Sequence, residues 1–325
     1  MNKVLSLLML AATMSLQAVA QGEIPQAEVS NKVIRATVFL PDAQAGYYRG
    51  TRFDWSGVMP ELEYKGHIYF GQWFEKYDPY LHDAIMGPVE EFAPLGYEEA
   101  GTGDTFVKIG VGALLKPAED RYNRFNYYKI EDHGQWDIKK KTGRITFIHL
   151  LEHKGYGYKY EKTLKLANGK PVLEIIHSIE NRGEKTIETN VYNHNFFVID
   201  GRYTGPGLKV FFPFELKIDS TRISKLADVR ANTITFYREF VKGETTNLGS
   251  LTGFGSDAND YDIRIENHIT GAGVRITGDK PLTRLVFWAS LKVLSPEPYT
   301  NIRIEPGEEF RWKVRYEFYT LTDKP

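Results

Sequence analysis

The sequence predicts an all-β protein built as a large antiparallel β-sandwich, and three observations predict it. Apolar and polar residues alternate in many short runs. Clusters of Gly, Pro, Asn and Asp bound those runs at close spacing. No helical periodicity intervenes between them, which argues against a βαβ protein.

The runs appear in chain order. Residues 33–40 alternate before Pro41, and residues 105–115 form a second run in which Gly110 and Gly112 mark bulges or close approaches. Residues 144–153, 158–166 and 172–179 follow; the last two flank Ala167-Asn168-Gly169-Lys170, a strong hairpin signal. Asn181-Arg182-Gly183 turns the chain into a strand over 186–192. Residues 208–214, 233–237, 261–266, 272–277, 285–294 and 310–320 complete the set. Two long stretches, 46–60 and 70–94, read as loops rich in aromatic and charged side chains, the usual carriers of function on a rigid sandwich.

Composition narrows the function. The 325 residues hold 41 Lys+Arg against 42 Asp+Glu, a net charge of −1, which argues against a nucleic-acid partner. The 20 Tyr, 19 Phe and 5 Trp suit a β core and equally suit a surface that stacks on sugar rings. There is no cysteine, so disulfides, thiol chemistry and cysteine-bound zinc are excluded. Residues 1–20 read as a signal peptide: Lys3, an apolar core, then Ala18-Val19-Ala20. No segment has the roughly 20 apolar residues of a membrane span. The expectation is an exported protein, periplasmic or extracellular and soluble once cleaved, with residues 21–325 forming one domain.

Several segments carry titratable groups. Tyr192-Asn193-His194-Asn195-Phe196-Phe197 ends a strand with a histidine, a group that exchanges protons near neutral pH. In Ser295-Pro296-Glu297-Pro298-Tyr299 two prolines stiffen the backbone around a carboxylate, reducing the entropy lost in holding it. His82, Asp83, Glu90 and Glu91 form a further cluster, readable as a sugar-binding loop, an acid/base pair, a metal site or a solvated loop. His149 and His153 lie about 13 Å apart on a strand, too far to share an ion. No nucleophile elbow, phosphate loop or dinucleotide fingerprint occurs.

In chain order these segments resemble the galactose mutarotase-like superfamily, the aldose 1-epimerase family. Asn193-His194-Asn195-Phe196-Phe197 is similar to its histidine block, and Leu294-Ser295-Pro296-Glu297 to its late glutamate block. The closing order also matches: Ile304-Glu305-Pro306-Gly307-Glu308, then Tyr316-Glu317-Phe318. The departures are His-Asp-Ala at His82, where the family has His-Gly-Gly, and the proline-flanked setting of Glu297. They mark a divergent branch.

The resemblance implies the supersandwich form of the fold. It also implies interconversion of α and β anomers of an aldose without a cofactor or metal. Glu297 would act as general base on the anomeric hydroxyl and His194 as general acid on the ring oxygen, from opposite sides of the sugar. Arg52 (with Arg49 in competition), His82 and Asp257 (with Asp260 in competition) would bind substrate, with Trp55, Trp73 and Tyr299 as stacking platforms. Ordinary pKa values near 4.3 and 6.5 would leave the glutamate charged and the histidine partly protonated at neutral pH, giving a bell-shaped pH–rate profile. The partner is a small sugar or an oligosaccharide. The rival readings are a non-catalytic carbohydrate-binding protein and a glycosidase or lyase, for which Glu297 with Glu90 or Glu91 would supply the carboxylate pair.

Overall fold

Two antiparallel sheets, one of ten strands and one of five, dominate the computed structural model, which describes residues 23–323. The leader expected over residues 1–20 lies outside the described residues. The ten-stranded sheet runs, edge to edge, Ala227–Arg230, Thr233–Phe236, Leu208–Phe211, Asp262–Asn267, Ala272–Gly278, Glu309–Thr320, Val172–Asn181, Tyr156–Leu166, Arg144–His153 and Gln135–Lys141. The five-stranded sheet runs Thr245–Leu251, Arg284–Ser290, Leu294–Ile304, Ile187–Phe196 and Gly87–Phe92. A four-stranded and a three-stranded sheet flank them.

The core follows from period-2 alternation. Ile175, Leu164, Val314 and Tyr316 from the large sheet share one buried cluster with Val191, Leu285, Phe287 and Ile302 from the smaller one. The predicted hairpin is present: Tyr156–Leu166 pairs with Val172–Asn181, and Gly169 takes φ 63° in the turn between them.

Three readings change. The run 105–115 is two strands, Thr105–Lys108 and Gly112–Leu115, paired as a hairpin with Gly110 (φ 76°) in its turn. A Cβ at Gly110 would stand 2.5 Å from Asp54 Oδ1, so close approach is what this glycine permits. The run 285–294 likewise divides: Arg284–Ser290 turns through residues 291–293 into Leu294–Ile304, so Glu297 sits inside a strand rather than in a loop after one. Residues 70–94, read as loop, contain Gly87–Phe92, buried along its whole length. Proline at 88 and paired glutamates disguise that strand from any alternation test.

Candidate functional site

One face of the five-stranded sheet carries the site. Strand register sets Tyr192 opposite Glu91 and Tyr299, Arg284 opposite Tyr299, Glu297 opposite Val286, and Trp288 opposite both Ser295 and Asn247. Side chains two apart share a face, so Tyr192, His194 and Phe196 line up beside Ser295, Glu297 and Tyr299. Above this face lies a cavity of about 860 Å³, walled by these strands and by a loop over residues 119–126.

The two central strands part where the site needs room. Pairing between Ile187–Phe196 and Leu294–Ile304 runs as far as Tyr192↔Tyr299 and returns only at a bridge between Phe197 and Leu294. Pro296 and Pro298 have no N–H to give across that gap. Side chains replace the missing ladder: Asn195 N–H donates to Ser295 Oγ (2.9 Å), and Asn195 Nδ2 donates to the Pro296 carbonyl (2.9 Å). Tyr316, from the opposite sheet, donates to Asn195 Oδ1 at 2.7 Å.

His194 Nε2 lies 3.2 Å from Glu297 Oε1, and both side chains are buried. The imidazole stacks on Phe196, ring centroids 3.7 Å apart, and Trp73 stacks on the other side of Phe196 at 5.3 Å. Ser295 Oγ meets Nδ1 at 2.8 Å. Burial pushes the Glu297 carboxyl up to about 7 against the pull of Arg52, Arg124 and Arg284, with Glu91 adding to the rise. Burial, then Arg52 and Arg124, push the imidazole well below its usual value. The sequence expectation of a charged glutamate beside a partly protonated histidine is therefore inverted, because desolvation disfavours the charged form of each. The expected placement on opposite sides of a ring also changes, since the two groups touch.

Behind the pair lies an arginine–glutamate cluster. Arg52 Nε donates to Glu91 (2.8 Å), its Nη1 to Asp83, and its Nη2 to Tyr192 Oη (3.1 Å). Arg124 bonds Glu91 and Tyr192 from the loop side. Burial alone would raise the Glu91 carboxyl, but Arg52, Lys108 and Arg124 outweigh it and hold it low.

Of the residues expected at the site, Arg52, Trp73, His194, Glu297 and Tyr299 line this one cavity. Arg49 does not, packing instead over Tyr80 at 4.6 Å. His82 stands one step back, with Nδ1 3.0 Å from Asp83 and its ring against Phe125, which does line the cavity. Asp257 lies outside the cavity, as the N-cap of the turn Ala258–Asp260, accepting Asn259 N–H at 2.8 Å; Asp260 belongs to the same turn. Trp55 is core, its indole bonded to the Gly50 carbonyl. Sequence reasoning missed Arg124, Tyr192, Arg284 and Trp288; period-2 spacing from His194 would have found Tyr192.

The metal reading of Asp83, Glu90 and Glu91 meets a geometric obstacle. Neighbours on a strand point to opposite faces. Glu91 joins the arginines, while Glu90 turns into the sandwich interior and bonds Lys162, His177 (2.9 Å) and Asn193 (2.8 Å). The same obstacle removes Glu90 from any carboxylate pair with Glu297.

No family model matches the chain, and no curated protein matches it in sequence. Solved structures do match. The Slr1438 protein of Synechocystis aligns at TM-score 0.57 and 13% identity, covering 96% of this chain and 100% of that one. The galactose mutarotase related enzyme of Lactobacillus acidophilus aligns at TM-score 0.55 and 10% identity, covering 92% and 99%. A galactose mutarotase-like protein of Clostridium acetobutylicum gives TM-score 0.55 and 14% identity over 93% and 97%. The chain thus carries the galactose mutarotase-like fold, on a branch far removed in sequence from those relatives.

Proposed function

We propose that the protein is an aldose 1-epimerase that interconverts sugar anomers at the His194–Glu297 pair. The observation that carries this reading is the 3.2 Å contact of the two groups inside a cavity large enough for a sugar. Their opposed shifts leave the pair holding a single proton from low pH up to about 7. A pair with one proton can give one and take one, which is what ring opening and closure require.

The anomeric hydroxyl and the ring oxygen are both bonded to C1, so adjacent groups can serve both. Once the pair's single proton has passed from Glu297 to His194 across the 3.2 Å contact, Glu297 takes the hydroxyl proton while His194 delivers its proton to the ring oxygen, and the C1–ring-oxygen bond breaks to the aldehyde. C1 rotates, and closure on the other face returns both protons. Arg52 holds the pocket wall through Glu91 and Asp83, and Trp73 braces the stack behind His194. The reaction calls for no cofactor. A carboxylate raised towards neutrality and touching a histidine favours an enzyme over a binding protein. Likeness to mutarotase-like folds supports the same class of reaction. With residues 1–20 as a leader, this chemistry takes place outside the cytoplasm.

The test is NMR of freshly dissolved sugars with wild type, Glu297→Gln and His194→Asn. Accelerated anomer exchange, lost in both folded variants, is expected. No acceleration on any hexose, pentose or uronic acid would overturn the proposal.

A further inference from the structure

We infer that the site selects aldouronic acids, with the sugar carboxylate held by Arg284. This deepens the epimerase reading and rests on it for the chemistry at C1. Four arginines line the cavity. Arg52 is committed to Glu91 and Asp83, and Arg124 to Glu91 and Tyr192; Arg121 belongs to the loop over residues 119–126, whereas Arg284 stands on the sheet beside Glu297. Arg284 makes no ion pair or hydrogen bond with a carboxylate among the described residues, and acts on Glu297 only through space. Its guanidinium lies over the Tyr299 ring at 5.0 Å, and Tyr299 is itself stacked on Tyr192 at 4.4 Å. The aromatic pair props the planar group, and its N–H donors have no protein carboxylate to serve.

Position supplies the second argument. Arg284 faces Tyr299 across the strand pair, and Glu297 faces Val286, so the two functional positions are two residues apart on one face. As diagonal neighbours on adjacent strands they stand about 7–8 Å apart. One pyranose ring spans that interval between its anomeric oxygen and a carboxyl on C5. A sugar with C1 at Glu297 therefore brings its C6 group towards Arg284. A guanidinium matches a planar carboxylate by two parallel hydrogen bonds, whereas a neutral hydroxymethyl group would leave the charge unanswered.

The test compares galacturonate, galactose and galactose 6-phosphate with wild type, Arg284→Gln and Arg284→Lys. Anomer exchange is followed by NMR, and equilibrium binding is measured in the Glu297→Gln background, where turnover plays no part. Galacturonate is expected to be preferred, and the galacturonate-to-galactose ratio of kcat/KM to fall about tenfold or more in Arg284→Gln, with partial recovery in Arg284→Lys. Galacturonate binding that depends on Arg284 without anomer exchange would uphold this inference and sink the epimerase reading. Equal losses for galactose and galacturonate in Arg284→Gln, or a preference for the phosphate, would overturn the inference alone.

Discussion

Ser295 Oγ stands 2.8 Å from His194 Nδ1 while accepting the backbone N–H of Asn195 at 2.9 Å. A hydroxyl can donate to a bare Nδ1 or accept from a protonated one, so it suits a ring that changes protonation during turnover. Ser295→Ala should lower kcat about 10²-fold with little change in KM, and Ser295→Thr should restore much of it. A purely structural serine would instead give a loss of stability with the kcat of the folded fraction intact.

The pH profile follows from the pair. Glu297 gives up its proton at about 7, and His194 accepts a further one only well below its usual value. We expect a bell displaced to the acid side, with kcat/KM falling above pH 7. Rates of anomer exchange from pH 4 to 9 check this. A flat profile, or one still rising at pH 8, would contradict a one-proton pair.

Glu297 should also cost stability. A folded-state pKa raised above the unfolded one stabilises below the unfolded value of 4.5, and that contribution is lost as pH rises through about 7. Glu297→Gln should therefore stabilise the fold at pH 8, by about 3 kcal/mol, and far less at pH 5. Urea denaturation at the two pH values reads the difference; equal gains at both would reject it.

Across the sheet from the cavity, Lys162 is wholly buried, donating to Glu90 and to the Ser56 carbonyl (2.7 Å), with Asp54 at 3.4 Å. Lys162→Met would strand two interior carboxylates and should cost about 3–5 kcal/mol in chemical denaturation. Burial alone would raise Glu90, but Lys162 and His177 hold it at about 2. Its contribution is present above 4.5 and lost as pH falls towards 2, so the variant should also lose much of this acid sensitivity. A cost below about 1 kcal/mol would mean the interior charges are solvated.

How much of this was legible in the sequence depended on whether a signal is local. His194 and Glu297 stand in short blocks whose residue types survive divergence, and alternation revealed most strands of the large sheet. Gly87–Phe92 was hidden because both faces are buried, one by Glu91 among arginines and the other by Glu90 against Lys162. Arg124 comes from a loop whose spacing encodes nothing about where it folds back. Asp257 misled because an aspartate before an apolar strand is also a common turn cap, and here its carboxylate is used on Asn259. The inverted proton affinities of the pair were out of reach, since burial belongs to the assembled sheet.

The proline-flanked gap has one more consequence. Positions 296 and 298 lack the amide hydrogens with which neighbouring strands would zip together. Backbone hydrogen bonds donated from those two positions cannot draw the strands together. An opening written into the covalent chain spares an arriving ligand part of the cost of ordering it.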